Sequence, residues 1–373
     1  MLVNEYVNLS KQNSNGYLEK YFKTETLQRL KGKGFFCGMD YVSIDKIKPL
    51  EYYSRYDHSK TVAHTAWKLS QDLNVALTAA FHDVGTLSFS HVNSFKNGDS
   101  LTQENDELDI KSVIARDEEL IEYLHEDNIN IDDVSDPKKY PLIDKNIPAL
   151  CLDRVDGILA TCLFWAKSHS INEIESLYNM VTYVEKLNGM HANTLNERLR
   201  NFNGEIVLNE YYNAATYEEF FKAINTYSKI LLSKEDRYLM EVLALALKYY
   251  EDIGLITEKD LFELSEQQII GKIINSKYGE VLKDILSLEE VSYATTTDTG
   301  LTIVSKPKIR YANPLCFHAM NVCGIEKLPV ELYGDFYRRL SDLSEEIKLT
   351  DKPITGNLSN ATVKVLSKYK KRM

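Results

Sequence analysis

Two short stretches decide the fold: Arg55-Tyr56-Asp57-His58-Ser59, and Ala79-Ala80-Phe81-His82-Asp83-Val84-Gly85. Between them, from Ser59 to Phe81, Val62, Ala66, Leu69, Leu73, Ala76, Leu77 and Ala80 recur at three- and four-residue steps. That spacing puts side chains on one face of a helix. A break near Asp72 to Asn74 divides the run into two packed helices. His82-Asp83 then falls at the end of the second helix, just before Gly85, a helix terminator. An irregular backbone there relaxes the roughly 100° divergence of adjacent helical side chains, so an imidazole and a carboxylate can face one point. Alone, a His-Asp pair is most often a cap or a surface feature, and its surroundings decide its meaning.

Outward from this pair the chain reads as mostly α. An apolar helix begins near Leu150, after the proline-punctuated stretch that carries Pro137, Pro141 and Pro148. Ser233 with Asp236, and Thr257 with Asp260, resemble acidic capping boxes and predict long helices over 234–252 and 258–276. Strand signals are confined to Gly34 to Ser43 and to Val291 to Arg310, where the turn-rich Thr297-Asp298-Thr299-Gly300 precedes Leu301 to Val304 and predicts a β-hairpin near 290–310. The basic end, Lys364 to Arg372, reads as a solvated tail. The expected organisation is an N-terminal segment over 1–24, a helical core over 25–205, and a helical C-terminal region with the hairpin over 206–373.

Charge and composition exclude several classes. With 44 Lys or Arg against 55 Asp or Glu the formal net charge is -11, which argues against a duplex nucleic-acid coat, because such binding needs basic residues to displace counterions. Apolar runs such as Leu159 to Ala166 and Val242 to Leu247 fall far short of the roughly 20 residues that span a bilayer. Cys37, Cys151, Cys162, Cys316 and Cys323 form no CxxC pair and are odd in number, so neither a disulfide framework nor a zinc ribbon is indicated. With no cationic start before an apolar stretch at the N-terminus, the expected location is the cytoplasm.

The informative histidines are His58, His64, His82 and His91, with Ser88-Phe89-Ser90-His91 downstream of the pair and Asp153-Arg154-Val155-Asp156 after a further helical stretch. In the order His58, His82-Asp83, Asp153 this set resembles the H…HD…D ligands of the HD-domain metal-dependent phosphohydrolase superfamily. Arg55-x-x-His58, Phe89-Ser90-His91 and Asp153-Arg154-Val155-Asp156 are similar to the deoxynucleoside triphosphate triphosphohydrolase branch, whose patterns are RxxH, HDxGHxxFSH and D-K/R-x-D-Y. Tyr53 to Ser59, Gly98-Asp99 with Gln103-Glu104, and Tyr140-Pro141 through Pro148 to Arg154 also resemble a group of bacterial HD hydrolases, a likeness that runs on to Lys308-Ile309-Arg310-Tyr311.

The resemblance implies an HD helical core and a divalent ion (Mn, Mg, Fe, Zn or Ni) on His58, His82, Asp83 and Asp153. That mixed nitrogen and oxygen set suits a borderline or hard cation with positions left for water and phosphate. It further implies Arg55 and Arg154 as phosphate-binding residues, and His91, oriented by Glu104, as the proton donor to the leaving oxygen. The substrate it implies is a nucleotide or related phosphate ester, with a dNTP among the candidates. The chain departs from the triphosphohydrolase pattern at Thr86, Gln103 and Gly157, where that branch carries His, His and Tyr. These changes spare the ligands but alter the surrounding shell, so the alternative is a nucleotide-binding sensor or interaction protein that retains the metal site without turnover. His64, six residues from His58 and turned well away around the same helix, is structural. The resemblance and the Tyr-rich helices beyond residue 205 together imply a homodimer.

Overall fold

The computed structural model describes residues 1–11, 16–102, 108–184, 205–208, 214–316 and 340–370. The first helix, α1 (Leu2–Lys11), packs against α2 (Arg55–Ser70), whose start is written in the sequence. Ser54 accepts from the Asp57 amide while the Asp57 carboxylate accepts from the Ser54 amide, a reciprocal capping box. Gln71, in the left-handed region at φ 51°, closes α2, and the Asp72 side chain immediately caps α3 (Leu73–Phe81). The break expected near Asp72 to Asn74 is therefore a cap-to-cap junction, and α2 and α3 pack closely along their lengths. Both run through the core: Val75 to Phe81 are all buried, and α2 buries Arg55, His58, Thr61 and His64 beside its apolar face. Polar groups on a helix buried on several sides must find partners.

The helix expected near Leu150 is α4 (Leu152–Ala160), which packs on α2 and passes into a π turn over Thr161–Trp165. Beyond it, α5 (Ala214–Leu231) and α6 (Lys234–Asp252) build the C-terminal region, with α6 packed on the short helix Val92–Lys96 that follows His91. Ser233 caps α6 as expected. The second predicted long helix divides in two, Glu258–Glu263 and Glu266–Ile274, because Ser265 and Gln268 form a further capping box where one continuous helix over 258–276 was expected. The basic end keeps Lys364, Lys368 and Lys370 exposed as expected but is no free tail as far as Lys370, and Lys371 and Arg372 lie outside the described residues. Residues Asn360–Lys370 form α7, which buries Thr362 and Leu366 and packs on α6.

The β structure is small. The strands β1 (Val181–Val184), β2 (Glu205–Leu208) and β4 (Leu315–Cys316) form one sheet, antiparallel between β1 and β2 and parallel between β2 and β4. In the other, β3 (Val291–Tyr293) pairs antiparallel with β5 (Ile354–Gly356). The predicted hairpin near 290–310 takes a different form: Ile303 bridges Ile354, so both β-branched runs pair with β5 rather than with each other. Nor is Gly34 to Ser43 a strand. Gly34 makes a single bridge to Ser54, after which Cys37 and Gly38 adopt positive φ (54° and 86°) and turn the chain into the 3-10 helix Met39–Tyr41. Among the described residues no helix is long and apolar enough to cross a membrane.

Candidate metal centre

Three elements bring the sequence candidates together. His58 lies one turn into α2, His82 and Asp83 follow the end of α3, and Asp153 occupies the first turn of α4. The Nε2 atoms of His58 and His82 face each other at 3.0 Å. Asp83 Oδ2 stands 3.6 Å from His58 Nε2 and 3.7 Å from His82 Nε2, and Asp153 Oδ1 stands 3.1 and 3.8 Å from the same two nitrogens. His58, His82 and Asp83 form the group of ligating side chains that could hold a metal ion among the described residues.

The opposite ring nitrogens show what this cluster is built for. His58 Nδ1 donates to Asp156 Oδ2 at 2.6 Å, and His82 Nδ1 donates to the Ala79 carbonyl at 2.6 Å. With the proton fixed on each Nδ1, both Nε2 atoms present lone pairs toward one point. Two nitrogens at 3.0 Å, flanked by two carboxylates, repel unless a proton or a metal cation stands between them. The donor set thus fits a divalent ion. Without one, burial pushes the His58 pKa down, but the bonds to Asp153 and Asp156 and the nearby carboxylate charges outweigh it and raise the group to about 10. For Asp83, burial is overcome by the charges of Arg55, His82 and His58, which lower it to about 2.

Asp156 closes the Asp153-Arg154-Val155-Asp156 motif, but the sequence reading gave it no role. Besides His58 it accepts Tyr53 Oη at 2.9 Å and Tyr6 Oη at 2.7 Å, so α1, the segment before α2 and α4 all meet at one buried carboxylate. Burial and the Asp156 charge push both phenols well up, which keeps them as donors. A signal was present in the spacing: Asp153 and Asp156 lie three apart on α4 and so share a face.

The cluster opens onto a cavity of about 510 Å³, within the usual range for a small-molecule site. Arg55 lines it and binds Asp83 Oδ2 through Nη1 at 2.9 Å. Arg154 lines it too, but its Nη1 donates to the Ala149 carbonyl and its Nη2 to Lys145 O at 3.0 Å, holding the loop before α4. His91, at the start of the helix Val92–Lys96, shares the cavity and accepts from Arg310 Nη2 at 3.1 Å. Arg310 lies in the Lys308-Ile309-Arg310-Tyr311 likeness, but the sequence reading gave it no role. Glu104 lies outside the described residues. His64 stands apart, its ring against Phe22 and 3.9 Å from Glu19, and burial lowers it to about 4. At Gly157, where the triphosphohydrolase pattern carries tyrosine, an added Cβ would lie 3.7 Å from the Phe35 ring and 3.9 Å from the Tyr227 ring, so aromatics from elsewhere already fill that wall.

The chain is similar to several known proteins. The uncharacterized protein YdhJ of Bacillus subtilis is 26% identical over 310 residues, covering 81% of this chain and 85% of that protein. A phosphohydrolase from Bacteroides thetaiotaomicron shares the fold with a TM-score of 0.53 at 13% identity, covering 93% of this chain and 96% of that one. A hypothetical protein from Aquifex aeolicus gives a TM-score of 0.49 at 13% identity, covering 95% of each chain. Residues 55–161, the span that runs from Arg55 past Asp156, match the HD domain family. The span that is similar to the HD domain family is thus the same one that converges on the histidine and carboxylate cluster.

Proposed function

We propose that this protein is a metal-dependent phosphohydrolase acting on a nucleotide or related phosphate ester. The observation that carries the reading is the opposed pair of imidazole Nε2 atoms at 3.0 Å, each with its Nδ1 proton committed elsewhere. His58, His82, Asp83 and Asp153 would hold the ion. When bound, a divalent cation there supplies Lewis-acid polarisation of a phosphoryl oxygen and acidifies a water. The chain's own groups do the rest. Asp156 fixes the His58 tautomer, and Arg55, anchored on Asp83, lines the cavity beside the cluster, where its planar fork suits a phosphate oxygen.

In this reading His91 gives a proton to the leaving oxygen. In the present arrangement its Nε2 is an acceptor, because a guanidinium has no lone pair to offer, so this role requires the Arg310 contact to be exchanged when substrate enters. Arg154 acts by holding residues 145 and 149 against the cavity, and through its remaining donors it serves as a phosphate contact. The phosphohydrolase name of the structural neighbour from Bacteroides thetaiotaomicron supports the reading. The test is phosphate release by purified protein with Mn²⁺ from nucleoside mono- and triphosphates, cyclic dinucleotides and alarmones. Release from at least one class, abolished by His82→Ala, is expected. Tight binding without release from any of them would favour a sensor instead.

A further inference from the structure

His91 owes its place in the cavity to a turn that its own residues disfavour. Phe89 and Ser90, the two residues before it, adopt positive φ, 66° and 45°, and neither is glycine. The left-handed region crowds a Cβ against the backbone, so such a pair persists only where the surroundings over-determine it, and strain of this kind gathers at functional sites. Both residues are buried. Asn93 Nδ2 donates to Ser88 O and Ser90 O, but Asn93 belongs to the helix Val92–Lys96 and travels with the turn it closes.

The anchors that fix the turn against the rest of the protein come largely from the C-terminal region. The Ser88 amide donates to Leu261 O at 2.8 Å and Ser88 Oγ to Leu264 O at 2.8 Å, while buried Lys33 donates through Nζ to the same two carbonyls and to Ser88 Oγ. The amide of Phe89, the first left-handed residue, donates to Glu266 Oε1 at 2.9 Å. Glu266 opens the helix Glu266–Ile274 and is fully buried, a costly place for a carboxylate. A Cβ on Gly34 would come within 2.9 Å of its Oε2, so glycine there leaves the carboxylate its room. Gly34 in turn bridges Ser54, the cap of α2, and its carbonyl accepts from Ser90 Oγ at 3.3 Å. One buried side chain thus lies against both the turn that precedes His91 and the segment that pairs with the start of α2.

We infer that Glu266 is a positioning residue for His91: its bond to the Phe89 amide holds the left-handed turn that sets the imidazole in the cavity. This rests on the phosphohydrolase reading for what His91 does there, and adds to it a part for the C-terminal region.

The test reads the histidines directly, in full-length protein labelled with ¹³C at histidine and kept in excess Mg²⁺. The His58, His82 and His91 signals are identified by their loss in the three alanine variants. Glu266→Met, a near-isostere without an acceptor, should move the His91 signal and leave those of His58 and His82 in place. Glu266→Gln removes the charge but keeps an acceptor oxygen at the same reach, so all three signals should stay where they are. On the best substrate of the nucleotide panel, Glu266→Met should lower kcat roughly 10- to 100-fold, the scale of a small misplacement of a reacting group, and change KM by less than about twofold. Glu266→Gln should restore most of the rate. In a His91→Ala background Glu266→Met should lower kcat little further, because residues that act through one group are not additive. An unmoved His91 signal in Glu266→Met would overturn the inference. So would movement of all three signals, or a further full-sized loss in the His91→Ala background, since either means a structural role. If Glu266→Met does not fold, Glu266→Asp, which withdraws the carboxylate by one methylene, is read in the same way. If no nucleotide is turned over, the phosphohydrolase reading fails, and the His91 signal still decides whether Glu266 sets its place.

Discussion

Replacing Asp156 by asparagine should weaken metal binding by roughly 10- to 100-fold while leaving the protein folded. The wild-type carboxylate accepts three bonds, from His58 Nδ1 and Tyr53 Oη on Oδ2 and from Tyr6 Oη on Oδ1. An amide can keep all three contacts if its oxygen faces His58 and Tyr53 and its NH₂ faces Tyr6, whose hydroxyl turns to accept. What disappears is the charge. Charge-assisted bonds contribute about 1.5–3 kcal/mol against about 0.5–1.5 for neutral ones, so the bond that holds His58 weakens by about 1–1.5 kcal/mol. Loss of a carboxylate behind a ligating imidazole commonly lowers metal affinity 10- to 100-fold, or about 1.4–2.8 kcal/mol, and the two figures agree in scale. Asp156→Ala should behave differently, because it strands three buried donors at about 1–3 kcal/mol each and threatens the fold itself. The assay is calorimetric titration with Mn²⁺, paired with denaturant unfolding to separate affinity from stability. If Asp156→Asn binds Mn²⁺ as tightly as the wild type, the carboxylate does not tune His58 and the reasoning is wrong.

Other outcomes follow from single residues. Burial raises the Asp236 pKa to about 8 against the opposing charges of Arg237 and Arg310, so the folded state binds a proton there that the unfolded state releases near pH 4. Folding therefore loses stability as pH rises from about 4 to about 8, and Asp236→Asn should gain on the wild type across that window in urea denaturation and then level off. An equal pH slope in both proteins would remove Asp236 from the balance. Gly157→Ala, whose Cβ meets only ordinary contacts inside α4, should stabilise the protein by about 0.5–1 kcal/mol. Gly85→Ala should destabilise it, because the added Cβ would strike the carbonyl oxygen of Leu108; guanidinium unfolding of the two variants checks both signs. We also propose a homodimer, so sedimentation at micromolar concentration should show a species twice the chain mass, and a 42.9 kDa species would count against it.

The parts of this site that were legible in the sequence are local or carried by a motif. Helical periodicity and the Gly85 stop place His82-Asp83 at the end of α3, and His58 lies on the preceding helix, so two adjacent elements already converge. Asp153 came from the resemblance, and α4 sets it 3.1 Å from His58 Nε2. What escaped is long-range. Tyr6 and Tyr53 reach Asp156 across 150 and 103 residues, and Arg310 reaches His91 across 219, distances that no periodicity records. The hairpin expectation failed for the same reason, since the partner strand β5 lies about 50 residues beyond the segment that Ile303 belongs to. The broken helix is another matter: Ser265-x-x-Gln268 carries a cap signal in plain sight, outweighed in the reading by the apolar run around it.

The central claim is that the opposed imidazoles and their flanking carboxylates form one metal site. Crystals grown with Mn²⁺ and measured at its absorption edge test it most directly. A single anomalous peak within coordinating distance of His58 Nε2, His82 Nε2, Asp83 and Asp153, at roughly 2.0–2.3 Å, is the predicted result. A fully occupied peak elsewhere, or an empty cluster with the two Nε2 atoms still 3.0 Å apart, would contradict it.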